Sequence, residues 1–388
     1  MVDPLHDIRM IEKKLAAPTA SGYFDVPESW HTRYPLPSKD LMRGVLGEGA
    51  VEGSFLYGGY VVAEGLKSIL KLTGRKLSEF NRILDLGCGC GRVLRWFDEE
   101  AAKAELHGSD IDNAAINWCR QHLPFAAFST NGPLPPLPYP DDFFDLIYSI
   151  SLLTHLNEDY QFQWLKELKR IAKPEAVIVQ TVHGLDEARL HLGPRDLLGL
   201  DRRGLVFKKS RWFGGLHGHP GFYQTAYQTN SYIEREWSRF FSIRGIIAHG
   251  PVYNQELVIM ENTEGTGEGR ESRVETAVHC RLPMMALDEP QLACEVESDE
   301  LVVRGWAFHP DGEDLHVDLW IDGIRRCSFE PAEPRPDVGA VFSAFPASRR
   351  AGFSTVVQIA DLPAGPHRLW LTKSENSIPC VSTYFVKL

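Results

Sequence analysis

Residues 82–91 read Arg-Ile-Leu-Asp-Leu-Gly-Cys-Gly-Cys-Gly, a short apolar run that ends in three alternating glycines. Nothing else in the chain restricts the fold as much. Glycines let a backbone turn sharply and approach a ligand with no Cβ in the way. A strand that feeds such a loop, with a helix expected to begin near Arg92, is the opening of a nucleotide-type site. The spacing is Gly87-x-Gly89-x-Gly91, with Asp85 two residues before the first glycine. It fails the dinucleotide fingerprint, whose third glycine would stand at position 92, which is Arg.

From position 81 the chain alternates strand-length apolar runs with helical ones. Strands are expected at residues 82–86, 105–109, 125–128, 144–149 and 176–182, and the clearest helix at 159–172. There Phe162, Leu165, Leu168 and Ile171 recur every three residues, behind Asn157 as cap. This alternation predicts a parallel sheet with helices on both faces. Two further runs, 241–248 and 252–261, come close together after a helix that Ser231 and Glu234 would cap as a box. They predict an antiparallel finish to the sheet. Residues 184–230, rich in Gly, Arg, His and aromatics, leave the sheet on its ligand side and read as a substrate lid.

The ends of the chain differ from this middle. Residues 1–75 read as an arm and helices that cover the ligand site; Tyr34-Pro-Leu-Pro is extended, and residues 61–72 have helical spacing. Residues 262–272 contain no apolar side chain and read as a linker, drawn in full as 263–283. Beyond it, residues 284–388 carry short strands separated by turns such as Asp322-Gly, as a β-sandwich requires.

A chain of 388 residues with a formal charge of −11 and no basic block argues against nucleic acid and anionic membranes as partners. The seven cysteines form no C-x-x-C pair, and reduced thiols are expected. No stretch approaches a membrane span and the N-terminus lacks a signal-like run, so a cytoplasmic location is the expectation.

Ile83-Leu-Asp-Leu-Gly-Cys-Gly-Cys-Gly-Arg-Val resembles motif I of class I S-adenosylmethionine-dependent methyltransferases. The resemblance implies an α/β fold: a Rossmann-like, seven-stranded sheet with an antiparallel final strand, spanning residues 76–262. The all-β sandwich would be appended at its C-terminal end. It also implies S-adenosylmethionine as cofactor, held by Asp85, Gly87, Cys88, Gly89 and Gly91. Asp110, in His107-Gly-Ser-Asp110-Ile-Asp112, stands where an acid would hold the ribose, with Ile111 beside it. Asp112 is open between ligand contact and helix cap. Asn131 is the implied adenine contact and Ser149 joins the set, while Asp145 resembles a structural acid. Glu175-Ala176 departs from the usual Gly-Gly turn. Pro-Pro-Leu-Pro, Ser151-Leu-Leu-Thr-His155-Leu and Thr181-Val-His183-Gly resemble a bacterial subfamily found beside glycosyltransferases. That likeness covers roughly residues 34–261 and implies a glycan acceptor. The C-terminal segment, with Trp306 and Trp320, resembles an immunoglobulin-like domain; these tryptophans read as core first and carbohydrate contacts second.

Methyl transfer to an alcohol calls for a base, and His183 and His155 are the candidates. Trp212, Tyr223 and Tyr227 offer flat faces to a sugar, with lid packing as the alternative. His217-Gly-His219 has no nearby acid or cysteine to complete a metal set, so no metal is expected. The leading expectation is an O-methyltransferase acting on a sugar hydroxyl of a glycan or glycoconjugate. Methylation of a small natural product or peptide carboxylate, and a non-catalytic glycan-binding role, remain alternatives. The partner is then a glycan or small-molecule acceptor, with room for a homo-oligomer.

Overall fold

The structure, a computed structural model, describes residues 33–47, 52–70, 73–208, 224–248, 255–263, 278–290, 294–343, 345–374 and 380–388. These fall into two compact units. One holds residues 37–47 and the described residues from 69 to 280; the other holds 33–36, 52–68 and those from 281 onward.

The first unit opens with α1 (Lys39–Leu46), whose N-cap Ser38 accepts from the Leu41 N–H; α2 (Glu52–Leu70) follows and ends in this unit. Next come β1 (Arg82–Leu86), β2 (Glu105–Asp110), α3 (Asn113–His122), β3 (Ala126–Thr130), β4 (Phe144–Ser149), α4 (Glu158–Ile171) and β5 (Ala172–Val182). Then follow α5 (Leu185–His191), α6 (Pro194–Arg203), β6 (Leu205–Lys208), β7 (Thr225–Gln228), α7 (Asn230–Glu236), β8 (Ser242–Ala248), β9 (Glu256–Glu261) and β10 (Val278–Arg281). One sheet has the order β10-β8-β9-β5-β4-β1-β2-β3. Strands β1 to β5 are parallel, and β9 runs antiparallel to both β5 and β8. The strands in the middle, β1 and β4, are buried along almost their whole length and are mostly apolar, as a sheet covered on both faces requires. The α4 stripe of Trp164, Leu165, Leu168 and Ile171 packs on Leu84, Ile147, Ile178, Val258 and Met260. Asn157 caps α4 through the Tyr160 N–H.

Several local expectations need correction. The sheet holds the seven expected strands, and β10 adds an eighth at the β8 edge; four residues are too few to show a strand period. Thr229, not Ser231, caps α7, accepting from the Tyr232 N–H at 3.2 Å. No α-helix begins near Arg92. The chain makes two 3-10 turns there (Leu94–Phe97 and Glu100–Ala102), since neither Val93 nor Glu99 caps them through its side chain. The lid segment holds α5, α6 and the antiparallel β6–β7 pair; residues 209–223 lie outside the described set.

Glu175 takes φ +62°, the left-handed value that glycine would adopt freely. Its N–H donates to the Asn262 carbonyl at 2.7 Å, and the Asn262 amide donates to Ala172 and Lys173 carbonyls, so the turn is held from β9's end.

The second unit contains β11 (Met284–Glu289), β12 (Cys294–Val296), β13 (Glu300–Phe308), β14 (Val317–Ile321), β15 (Ile324–Phe329), α8 (Pro336–Val341), β16 (Gly352–Gln358), β17 (Gly365–Lys373) and β18 (Val381–Lys387). Its sheets are β11-β13-β16 and β12-β18-β17-β14-β15. Both contribute to one core that includes Met285, Val303, Leu319, Phe353, Leu371 and Phe385. Trp306 is buried with Phe308, Phe342 and Phe345. Trp320 is half-buried and parallel to Trp370, 6.3 Å between centroids. Residues 52–68 of α2 group with this unit rather than with the cofactor side. Glu64 pairs with Arg368 at 3.1 Å, and the same guanidinium lies over the Tyr60 ring.

Candidate active site

The glycine loop leaves β1 at the carboxyl edge of the sheet. Gly87, Gly89 and Gly91 all have positive φ (+79°, +51° and +73°), so L side chains would strain each turn. At two of them space is also short. A Cβ on Gly89 would lie 2.7 Å from the Val45 side chain of α1, and one on Gly91 would lie 2.5 Å from Leu123. The Gly87 N–H donates to the Ser109 carbonyl at 2.7 Å, which ties the loop to β2. Cys88 and Cys119 each place Sγ 3.6 Å from the Gly89 carbonyl, and the Cys90 thiol meets the Leu41 carbonyl. Burial pushes all three thiols up, Cys90 to about 12, so they are inert packing groups.

Asp110 closes this loop. One carboxylate oxygen accepts from the Gly89 N–H at 2.7 Å and the other from the Asp112 N–H at 2.8 Å. A carboxylate accepts in up to about four positions, so hydroxyl donors suit it. Asp112 resolves as the N-cap of α3, accepting from Ala114 and Ala115. Ile111 is 39% exposed beside Asp110. Asn131 sits across β2 and β3: its N–H donates to the Asp110 carbonyl and its Oδ1 accepts from Ser109. Asp145 receives the Asn81 and Arg82 N–H groups, a structural clasp before β1.

Asp85 is buried opposite Tyr148 of β4. Burial pushes its carboxyl up to about 7; the Tyr148 hydroxyl and Arg92 pull it down, and the Asp110 charge pushes it up. Ser149 ends β4. It is fully buried and donates to Gln180 Oε1 of β5 at 2.5 Å.

The same edge continues at the end of β5. His183 is 7% exposed, and its Nδ1 has no hydrogen-bond partner among the described residues. Its ring centroid lies 5.5 Å from that of Tyr227 and 6.2 Å from that of His155, and its carbonyl accepts from the Gln228 N–H. Burial lowers the His183 pKa below the ordinary histidine value, partly opposed by Glu187. His155 is also buried, with Nδ1 donating to the Gln224 carbonyl at 2.8 Å. The structure thus brings His183, His155 and Tyr227 together.

Residues 83–175 match the methyltransferase domain family. This segment is a methyltransferase domain. Among curated relatives, the chain is similar to malonyl-(acyl-carrier protein) O-methyltransferase of Halorhodospira halophila. The two are 33% identical over 126 residues, 28% of this chain and 42% of that one. It is similar to phosphoethanolamine N-methyltransferase of Plasmodium falciparum, 27% identical over 139 residues, 34% of this chain and 52% of that one. The chain therefore spans about half the length of these relatives. A solved structure of an S-adenosylmethionine-dependent methyltransferase from Methanosarcina mazei covers 50% of this chain and 97% of its own, at 16% identity and a TM-score of 0.37.

Further residues line the same edge: Ser151 lies within the matched segment, and Thr181, Gln255 and Glu256 lie beyond it. Ser151 has φ +64°, unusual for a residue with a side chain and a mark of sites held under strain. Its N–H donates to Thr181 Oγ1 and its Oγ accepts from Gln255 Nε2, both at 2.7 Å. Glu256 pairs with Val182 in the β5–β9 ladder, and its carboxylate lies against Gly184, where a Cβ would come within 1.7 Å of Oε1. Two polar residues at the head of an otherwise apolar strand were the available signal. Trp212 and Tyr223 lie outside the described residues, as do His217 and His219. Among the described residues one group is close enough to hold a metal: His309, Asp311 and Glu313 of the C-terminal unit, with Glu313 already paired to Lys373. No helix among the described residues is long and apolar enough to cross a membrane.

Proposed function

We propose that the protein is an S-adenosylmethionine-dependent methyltransferase that methylates a sugar hydroxyl of a glycan or small glycoconjugate. The observation that carries this reading is one sheet edge holding both a left-handed glycine loop closed by Asp110 and a buried histidine with one ring nitrogen unengaged. The residues fit the cofactor. Asp110 has acceptor capacity for ribose hydroxyls, Ile111 offers an exposed apolar surface, and the Gly87–Gly91 backbone leaves room for close approach. Ser149 supports this edge from beneath, through Gln180. When bound, S-adenosylmethionine supplies a methyl group on a positively charged sulfur.

The chain's own part is to align the acceptor and take up its proton. A hydroxyl is a weak nucleophile until its proton has somewhere to go. Neutral His183 takes it at Nδ1, and burial keeps the ring neutral at neutral pH. His155 packs edge-on against that ring as a positioning residue, its Nδ1–H anchored on Gln224. Tyr227 walls the far side.

Calorimetry with S-adenosylmethionine tests the cofactor half. Asp110→Ala should bind at least tenfold more weakly, about 1.4 kcal/mol. Unchanged affinity in a folded Asp110→Ala protein would remove the assignment.

A further inference from the structure

Gln255 is 6% exposed and stands at the head of β9, beside the end of β5. Its Nε2 is committed to Ser151 Oγ at 2.7 Å, while its Oε1 is buried with no hydrogen-bond partner among the described residues. An amide oxygen removed from water and left unbonded is unfavourable, and its hydrogen-bond need is for a donor. The groups around it favour the same choice. Glu256 presents a buried carboxylate over Gly184, next to His183, and Glu187 is the main charge acting on that histidine. Glu187 in turn pairs with His191 at 2.8 Å, and Asp186 with Arg189 at 3.4 Å. Acceptor oxygens and carboxylates repel an anion and attract O–H or N–H groups.

Resting on the reading above, we infer that Gln255 selects the acceptor, accepting a hydrogen bond from a hydroxyl or amine substrate and disfavouring a carboxylate. The Nε2 bond to Ser151 and the strained Ser151 backbone, held by Thr181, fix the amide so that Oε1 is presented in one direction. Gln255 does not take part in bond making; it is a specificity-determining residue. Methylation of a carboxylate would place a negative charge against Oε1 and Glu256 before reaction, whereas a hydroxyl or amine donates to the amide.

The test uses the full chain with S-adenosylmethionine labelled in the methyl group and a small-molecule extract of the source cells. Label is then sorted by mild alkali, which releases methyl esters as volatile methanol and leaves methyl ethers and N-methyl groups intact. The expected result is base-stable product, reduced at least tenfold in Gln255→Leu and within about threefold of wild type in Gln255→Glu, which keeps an acceptor oxygen there. Cofactor affinity, measured by calorimetry, should be the same in all three proteins. Base-labile label, absence of base-stable product, or equal product from Gln255→Leu would overturn the inference. Failure of the wild-type chain to bind S-adenosylmethionine would instead overturn the methyltransferase reading itself. If Gln255→Leu fails to fold, Gln255→Glu decides: loss of its base-stable product counts against the proposal.

Discussion

Two buried histidines, one in each unit, show how differently the same side chain is used. His367 in the C-terminal unit is 4% exposed, with Nδ1 2.6 Å from Asp322 Oδ2 and Nε2 2.8 Å from the Pro363 carbonyl. His183 is nearly as buried, yet its Nδ1 meets no partner among the described residues. The first is a bolt between β17 and the turn after β14; both ring nitrogens face oxygen acceptors. The second has bonding capacity at Nδ1 that no described residue takes up. A buried polar group left unmet is costly, and in the proposed reading the acceptor's proton is taken up there.

The sharpest way to break this contrast is to remove each ring. His183→Ala should lower methyl transfer about 10²- to 10⁴-fold, the usual range for a lost general base, with cofactor affinity nearly unchanged. The wild-type rate should fall on the acid side at a pH below the ordinary histidine value, because burial lowers the His183 pKa. His367→Ala should leave turnover near wild type and cost about 1–3 kcal/mol of stability in urea unfolding, from the partners left unsatisfied. A folded His183→Ala protein with full turnover would erase the difference between the two sites.

A smaller effect separates the interior of the cofactor site from the sandwich core. Asp85 is raised from 3.8 to about 7 in the folded chain. Between those values the unfolded chain has lost the proton that the folded chain keeps, so stability falls as pH rises from about 4 to about 7. Asn carries no such penalty. Asp85→Asn should therefore melt above wild type at pH 8 and close to it at pH 4.5. A constant offset at both pH values would place the cause elsewhere.

The smallest expected effect is none. Turnover should be unaffected by a chelator, because the one group among the described residues close enough to hold a metal, His309, Asp311 and Glu313, belongs to the C-terminal unit, whereas the proposed cofactor and acceptor residues belong to the other. Activity that vanishes and returns with magnesium would overturn that.

The strands from β1 to β5 were legible because fully buried strands write continuous apolar runs and α4 writes a clear stripe. The glycine loop was legible because left-handed turns leave few alternatives to glycine. Less visible were features fixed across long separations. Gln255 reaches Ser151 across 104 positions, and Arg368 reaches Glu64 across 304, which is how α2 joins the C-terminal unit. The turn at Glu175 shows the converse: a residue that local rules would exclude is held at φ +62° by Asn262. Thr229 in place of Ser231 was a two-residue slip between neighbouring hydroxyls that also bond each other.

The β5–β9 pairing joins the end of one strand to the head of another far along the chain, and this has a bearing on descent. The residues proposed to hold the cofactor from Asp85 to Asn131 lie within the matched segment 83–175. His183, Gly184, Gln255 and Glu256 lie after it. On the proposed reading, mutations at the head of β9 or the end of β5 would change what is methylated while the loop proposed to hold the cofactor stayed under separate constraint. Directed evolution of this protein toward a new acceptor would begin with a library at those four positions.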